Sequence, residues 1–139
     1  MIHKSAIDLR FSEINDYLSL ICRNYKNLSF QEFHDSPIIF GGDARFIQMI
    51  AKHSIDVAAQ LLFDLQLEWK EYPQLFHLLE TNGIINTATA DNLITLSKYY
   101  LPDTLMSLKL KDIFEMTGLA ETISKAYQSQ INGYINNHG

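Results

Sequence analysis

The side chains in this 139-residue chain that could do chemistry are few and scattered. His3, His34, His53, His77 and His138 include no pair spaced i,i+4, and none stands beside a cysteine, so the ligand spacings of a zinc site are missing. Asp56, Asp64 and Glu68 share one helical face. A carboxylate-bridged two-metal centre needs Glu-x-x-His pairs on several helices, and the sequence has none. These acids read as a solvated or subunit-facing polar stripe, and neither metal nor cofactor is expected. His53 and Asp56 stand apart, three residues from each other near the middle of the longest apolar-striped segment. They are the candidate ligand- or partner-binding pair. The plainer reading is a border residue hydrogen-bonded to a neighbouring helix. Gly41-Gly42 is followed by no lysine and preceded by no strand, which excludes a phosphate loop. Cys22, the sole cysteine, falls on an apolar stripe and is expected to be a buried small hydrophobe.

The stretch that must position His53 and Asp56 runs from Asp43 to Trp69 without glycine or proline. Phe46, Ile47, Ile50, Val57, Ala58, Leu61, Leu62 and Leu65 recur at spacings of 3 and 4, which puts an apolar stripe along one side of a helix. Gly41-Gly42 is expected to open this helix, with Asp43 capping its free amide hydrogens. A first helix over 5–27 carries Phe11, Ile14, Leu18, Ile21 and Cys22 inward. Ser29-x-x-Glu32 has the pattern of a capping box at the start of one short turn. Tyr72-Pro73 fits a helix start and Asn82-Gly83 its end. Thr87 or Thr89 is expected to cap a further helix, and Leu101-Pro102-Asp103 to break the chain. Leu110 to Tyr134 supplies the last long stripe, with Asn136–Gly139 fraying. The expected fold is one all-α domain over 1–139, an up-and-down bundle. It has two long helices near the start, two or three shorter ones, and a long closing helix.

Charge and hydropathy restrict the partners. The formal net charge is −5 and the arginines are only Arg10, Arg23 and Arg45, which argues against a broad nucleic-acid footprint; no DNA is expected. No apolar run reaches the roughly 20 residues that span a bilayer. A lone cysteine without a signal-type apolar core at the N-terminus gives a cytoplasmic location as the expectation.

Two stretches carry a resemblance to a known family. Asp43-Ala-Arg-Phe-Ile-Gln-Met-Ile-Ala-Lys-His-Ser-Ile-Asp56 resembles the long second helix of HepT-like proteins, members of the HEPN group of helical nucleotide-binding domains. Tyr72-Pro73 through Leu79 to Gly83-Ile-Ile is similar to their next helix and its ending. The resemblance implies a helical homodimer, commonly a ribonuclease toxin paired with a nucleotidyltransferase antitoxin. It also implies a catalytic arginine followed, after four to six residues, by a histidine. In such a pair the arginine polarises a phosphate while the histidine moves a proton at the ribose hydroxyl. Aligned on the family, Tyr100 occupies the arginine position, Leu105 the histidine and Ser107 the tyrosine that often follows. No Arg-x(4–6)-His occurs anywhere in the chain, and Arg45 to His53 is one residue too long. Lys98 is the nearest substitute cation, with Tyr99 and Tyr100 beside it.

The sequence therefore points to a non-catalytic HepT-like binding module. It is expected to be a homodimer that binds a nucleotidyltransferase-like protein or a nucleotide, through residues among His53, Asp56, Lys98, Tyr99 and Tyr100. A ribonuclease with a rearranged site built from the same residues is the first alternative. An unrelated helical interaction or regulatory protein is the second.

Overall fold

The computed structural model describes residues 1–25, 27–100 and 109–138. Leu101-Pro102-Asp103 and the aligned positions Leu105 and Ser107 lie outside the described residues. The described residues form six helices and no strand: α1 (Lys4–Tyr25), α2 (Phe30–His34), α3 (Pro37–Asp64), α4 (Tyr72–Thr81), α5 (Thr87–Ser97) and α6 (Leu110–His138). This is the expected single-domain, all-α up-and-down bundle, with three long helices and three short ones described. No described helix is long and apolar enough to cross a membrane.

The longest stripes make the core. Ile7, Phe11, Ile14 and Leu18 of α1 meet Ile47, Ile50, Leu61 and Leu62 of α3, and Ala120, Ile123, Tyr127 and Ile131 of α6 close over them. Each large aliphatic side chain withdrawn from water contributes roughly 1.5–3 kcal/mol, so the three long helices hold most of the stability. Tyr127 is fully buried where they meet. Its ring stands edge-on to Phe11 at 5.5 Å and to Phe76 at 6.2 Å, and its hydroxyl donates to the Ser54 carbonyl at 2.9 Å.

Helix direction follows from the side-chain pairs. α1 runs antiparallel to α3, since His3 meets Asp64 and Tyr25 meets Phe46. α5 runs antiparallel to α6, since Thr89 meets Gln130 and Tyr99 meets Asp112. α3 and α6 run parallel, for Asp43 meets Thr117 and Ser54 meets Tyr127.

Several expected boundaries are corrected. α3 begins at Pro37, not Asp43, because Ser36 caps it (its hydroxyl accepts from the Ile39 amide) and Pro37 needs no N–H in the first turn. Ile38-Ile39-Phe40 is therefore the start of α3, with Ile38 exposed. Gly41-Gly42 lies within the helix and Asp43 caps nothing. Gly42 has a steric reason to be there: a Cβ would lie 2.8 Å from the Tyr25 hydroxyl. α3 also ends earlier than Leu67 or Trp69, at Asp64, where Gln66 turns left-handed at φ 59°. Asn86, not Thr87 or Thr89, caps α5 by accepting from the Thr89 amide at 2.8 Å. α6 stays helical through His138 rather than fraying from Asn136. Cys22 is exposed, not buried, because it lies one position past Ile21 on the α1 stripe and faces a groove. The Ser29/Glu32 capping box forms as expected.

Candidate functional site

The candidate pair on α3 faces α1. His53 is 2% exposed, with its ring stacked on Tyr17 at 6.1 Å. Arg10 approaches its Nδ1 at 3.4 Å. Arginine only donates, so Nδ1 carries the lone pair and Nε2 the proton. Nε2 lies 2.8 Å from the Glu13 carboxylate, but off the line of its N–H, so with the ring neutral the contact is a close polar one rather than a formed hydrogen bond or an ion pair. Burial lowers the His53 pKa; Glu13 and Asp56 pull it up and Lys52 and Arg10 push it down, so the charges oppose one another and burial decides. Asp56 is half-buried. It pairs with Lys52 at 3.1 Å and with Arg10 at 3.6 Å. The arrangement is thus a closed set of alternating charges joining α1 to α3, with Asp56 and Arg10 on its solvent side.

Lys98, Tyr99 and Tyr100 follow α5. Lys98 is exposed, at the C-terminal cap. Tyr99 is buried, and its hydroxyl donates to the Asp112 carbonyl at 2.8 Å. Burial first, then the Asp112 and Glu115 carboxylates, push that phenol up to about 12. Tyr100 is half-buried and stands edge-on to Tyr72 at 6.3 Å. These residues do not converge with His53 and Asp56. Tyr99 is tied to α6 at Asp112, and Ser54 is tied to it at Tyr127. Fifteen helical residues separate the two anchors, about 22 Å at 1.5 Å per residue. Within one chain there are two separate polar regions rather than one cleft.

A third polar group went unnoticed in the sequence. Asp43 is fully buried; the Thr117 hydroxyl bonds to one carboxylate oxygen, and Oδ1 has no partner among the described residues. Burial pushes Asp43 up to about 6, against the lowering effect of Thr117. The Tyr25 phenol nearby is pushed up by burial and by the Asp43 charge. The signal was present: Asp43 lies four residues before Ile47 and seven before Ile50, on the inward stripe. Arg10 and Glu13 were missed because they sit on another helix. Asp64, read as part of a solvated stripe, has a buried side chain that accepts from the His3 amide at 2.8 Å and from Gln60 at 2.9 Å. Among the described residues no three histidine, cysteine or carboxylate side chains are grouped to hold a metal ion.

A bundle of three long helices with a short helical hairpin between the second and third defines a class of all-α proteins shared by several chains. The profile of the family described as Ribonuclease HepT-like matches residues 14–99, and the chain belongs to that family. One similar solved structure is described as the crystal structure of the toxin-antitoxin with AMP-PNP. It superimposes with a TM-score of 0.82 at 18% identity, covering 91% of this chain and 97% of that one. Another is YutE, a cytosolic protein of unknown function from Bacillus subtilis. Its TM-score is 0.81 at 14% identity, covering 98% of this chain and 92% of that one. At such identities the likeness is one of fold. No curated protein matches the sequence.

Proposed function

We propose that the chain is a HepT-like binding module that works without the family's arginine–histidine chemistry, as a homodimer that docks on a nucleotidyltransferase-like protein. The observation that carries this reading is the sequence itself: none of Arg10, Arg23 and Arg45 is followed by a histidine at the required spacing. The candidate substitutes add support. Lys98 is exposed and lies apart from His53 and Asp56, and the Tyr99 hydroxyl is already spent on a carbonyl. The contact face we favour is the outer side of α1 and α3. There Leu9 (59% exposed) and Phe63 (74% exposed) flank a shallow hollow bordered by Arg10 and Asp56. Two large apolar side chains beside a charged pair make the apolar centre and polar rim of a protein contact. In this reading Asp56 meets the partner and His53 holds Arg10 in place behind it. A nucleotide is the second ligand to test, since the similar toxin-antitoxin structure was determined with AMP-PNP.

The test is co-purification with a nucleotidyltransferase-like protein encoded next to this chain, together with its mass in solution. Complex formation by the wild type, lost in Phe63→Asp with the fold intact, is the expected result. RNA cleavage that disappears in Lys98→Ala would instead establish the rearranged nuclease. A monomer that binds neither the partner protein nor ATP would overturn the binding-module reading.

A further inference from the structure

On the opposite side of α1 from Leu9, the groove against α6 contains a cavity of about 340 Å³. That is within the range of small-molecule sites, near its lower end. Leu18 and Ile21 of α1 and Phe114 of α6 give it apolar walls, and Tyr25 and Thr117 are hydroxyl-bearing residues of its lining. Behind Thr117 is the buried carboxyl of Asp43, bonded to that hydroxyl and with Oδ1 unpartnered. The Tyr25 hydroxyl lies against Gly42, the residue next to Asp43. No lysine, arginine or histidine lines the cavity among the described residues; Glu115 and Glu121 line it, paired with Lys111 at 3.9 Å and Lys125 at 2.6 Å.

These groups select the sign of a guest. An anion would meet Glu115 and Glu121 in the lining and the buried Asp43 behind it, with Lys111 and Lys125 already paired to those glutamates. A neutral apolar molecule would fill the walls and leave the buried carboxyl as it was. A cation on an apolar body satisfies both halves, and the faces of Tyr25 and Phe114 add attraction for it. With a pKa near 6, Asp43 is largely ionised at neutral pH, where a buried carboxylate lacking a cation is costly.

We propose that the α1–α6 cavity binds a small arylalkylammonium ion, its ring against Leu18, Ile21 and Phe114 and its ammonium group held by the Tyr25 and Thr117 hydroxyls above Asp43. This site is independent of the partner contact proposed for the outer side of α1 and α3.

The test uses three molecules of one shape and different charge, phenethylamine, 2-phenylethanol and phenylacetate, titrated at about pH 7.5 with amide resonances followed by NMR. Phenethylamine is expected to shift Tyr25, Thr117 and Gly118 saturably and to bind about tenfold more tightly than phenylacetate, a difference of about 1.4 kcal/mol. An added Cβ at Gly118 meets nothing within 4 Å, so Gly118→Phe places a plug in the opening without clashing at its base. That variant should lose about tenfold in phenethylamine affinity. Gly118→Ala, the gentler change, keeps the fold testable and should lose less. Asp43→Asn should keep 2-phenylethanol binding and reduce the preference for the amine to about twofold or less. Equal binding of all three molecules, shifts confined to other residues, no saturable shift, or affinity untouched by both Gly118 variants would overturn the proposal.

Discussion

Of the buried titratable groups on α3, His53 against α1 and Asp43 against α6 have surroundings that differ in kind. His53 is ringed by Arg10, Glu13, Lys52 and Asp56, charges of both signs that meet water on one side. Among the described residues Asp43 has only the neutral hydroxyl of Thr117 bonded to it, with the weakly acidic Tyr25 nearby. A mixed-charge ring compensates itself, so neutralising one member costs little beyond the lost contact. A lone carboxyl in a dry seam has no such reserve, and its protonation state becomes part of the packing. The difference teaches that the same helix joins one neighbour by ionic contacts and the other through a buried acid whose proton is held to higher pH than usual.

The largest expected effect lies where the two seams meet. Tyr127→Ala removes the ring touching Phe11 and Phe76 and leaves a cavity, at a cost of about 4 kcal/mol by urea denaturation. Tyr127→Phe should cost only about 1 kcal/mol, the Ser54 bond alone. If the two substitutions cost the same, the seams are not joined by packing at this ring.

The next effect separates the seams by pH. The folded-state pKa of Asp43 is raised to about 6 from 3.8, so its contribution is full below pH about 4 and is lost as pH rises through about 6. Asp43→Asn should therefore gain on the wild type by about 2 kcal/mol between those limits. His53 runs the other way. Its folded pKa is lowered, so stability present above pH about 6.5 is lost as pH falls through the folded value. His53→Gln should flatten that acid limb, at a fixed cost of roughly 1 kcal/mol from the lost contacts. Chemical denaturation of both variants from about pH 4 to 8 checks the two signs, and a common sign would erase the contrast.

The smallest effect concerns Gly42. Alanine there gains up to about 1 kcal/mol of helix propensity but crowds the Tyr25 hydroxyl. In a Tyr25→Phe background that hydroxyl is gone. Gly42→Ala should then stabilise by about 0.5 kcal/mol more than in the wild type, measured by a double-mutant cycle.

The seams also differed in how far the sequence revealed them. The stripe from Phe46 to Leu62 located α3 and put His53 and Asp56 on one stretch of it, because helical spacing is a local property. Arg10 and Glu13 could not be matched to them, since pairing across helices depends on which faces meet. Asp43 was misread for a local reason. Gly41-Gly42 looks like punctuation, and an acid after it looks like a cap. The Ser36-Pro37 start overrode that pattern and carried both glycines into the helix, where Gly42 admits Tyr25. Cys22 shows the same limit: one position around a helix separates a core residue from a groove, and periodicity does not resolve that step.

The parallel course of α3 and α6 has a consequence for how the chain acquires its structure. α1 and α3 are separated only by the short α2 segment, and can associate while the remainder is still being synthesised. Every α6 partner on α3 lies far back in the chain, with Asp43–Thr117 and Ser54–Tyr127 spanning 74 and 73 positions. The last helix must therefore dock after the intervening hairpin is made, closing long loops late. Until then the side chains that receive Tyr127 stay open to water. The nascent α1–α3 pair would be the species most in need of protection from aggregation.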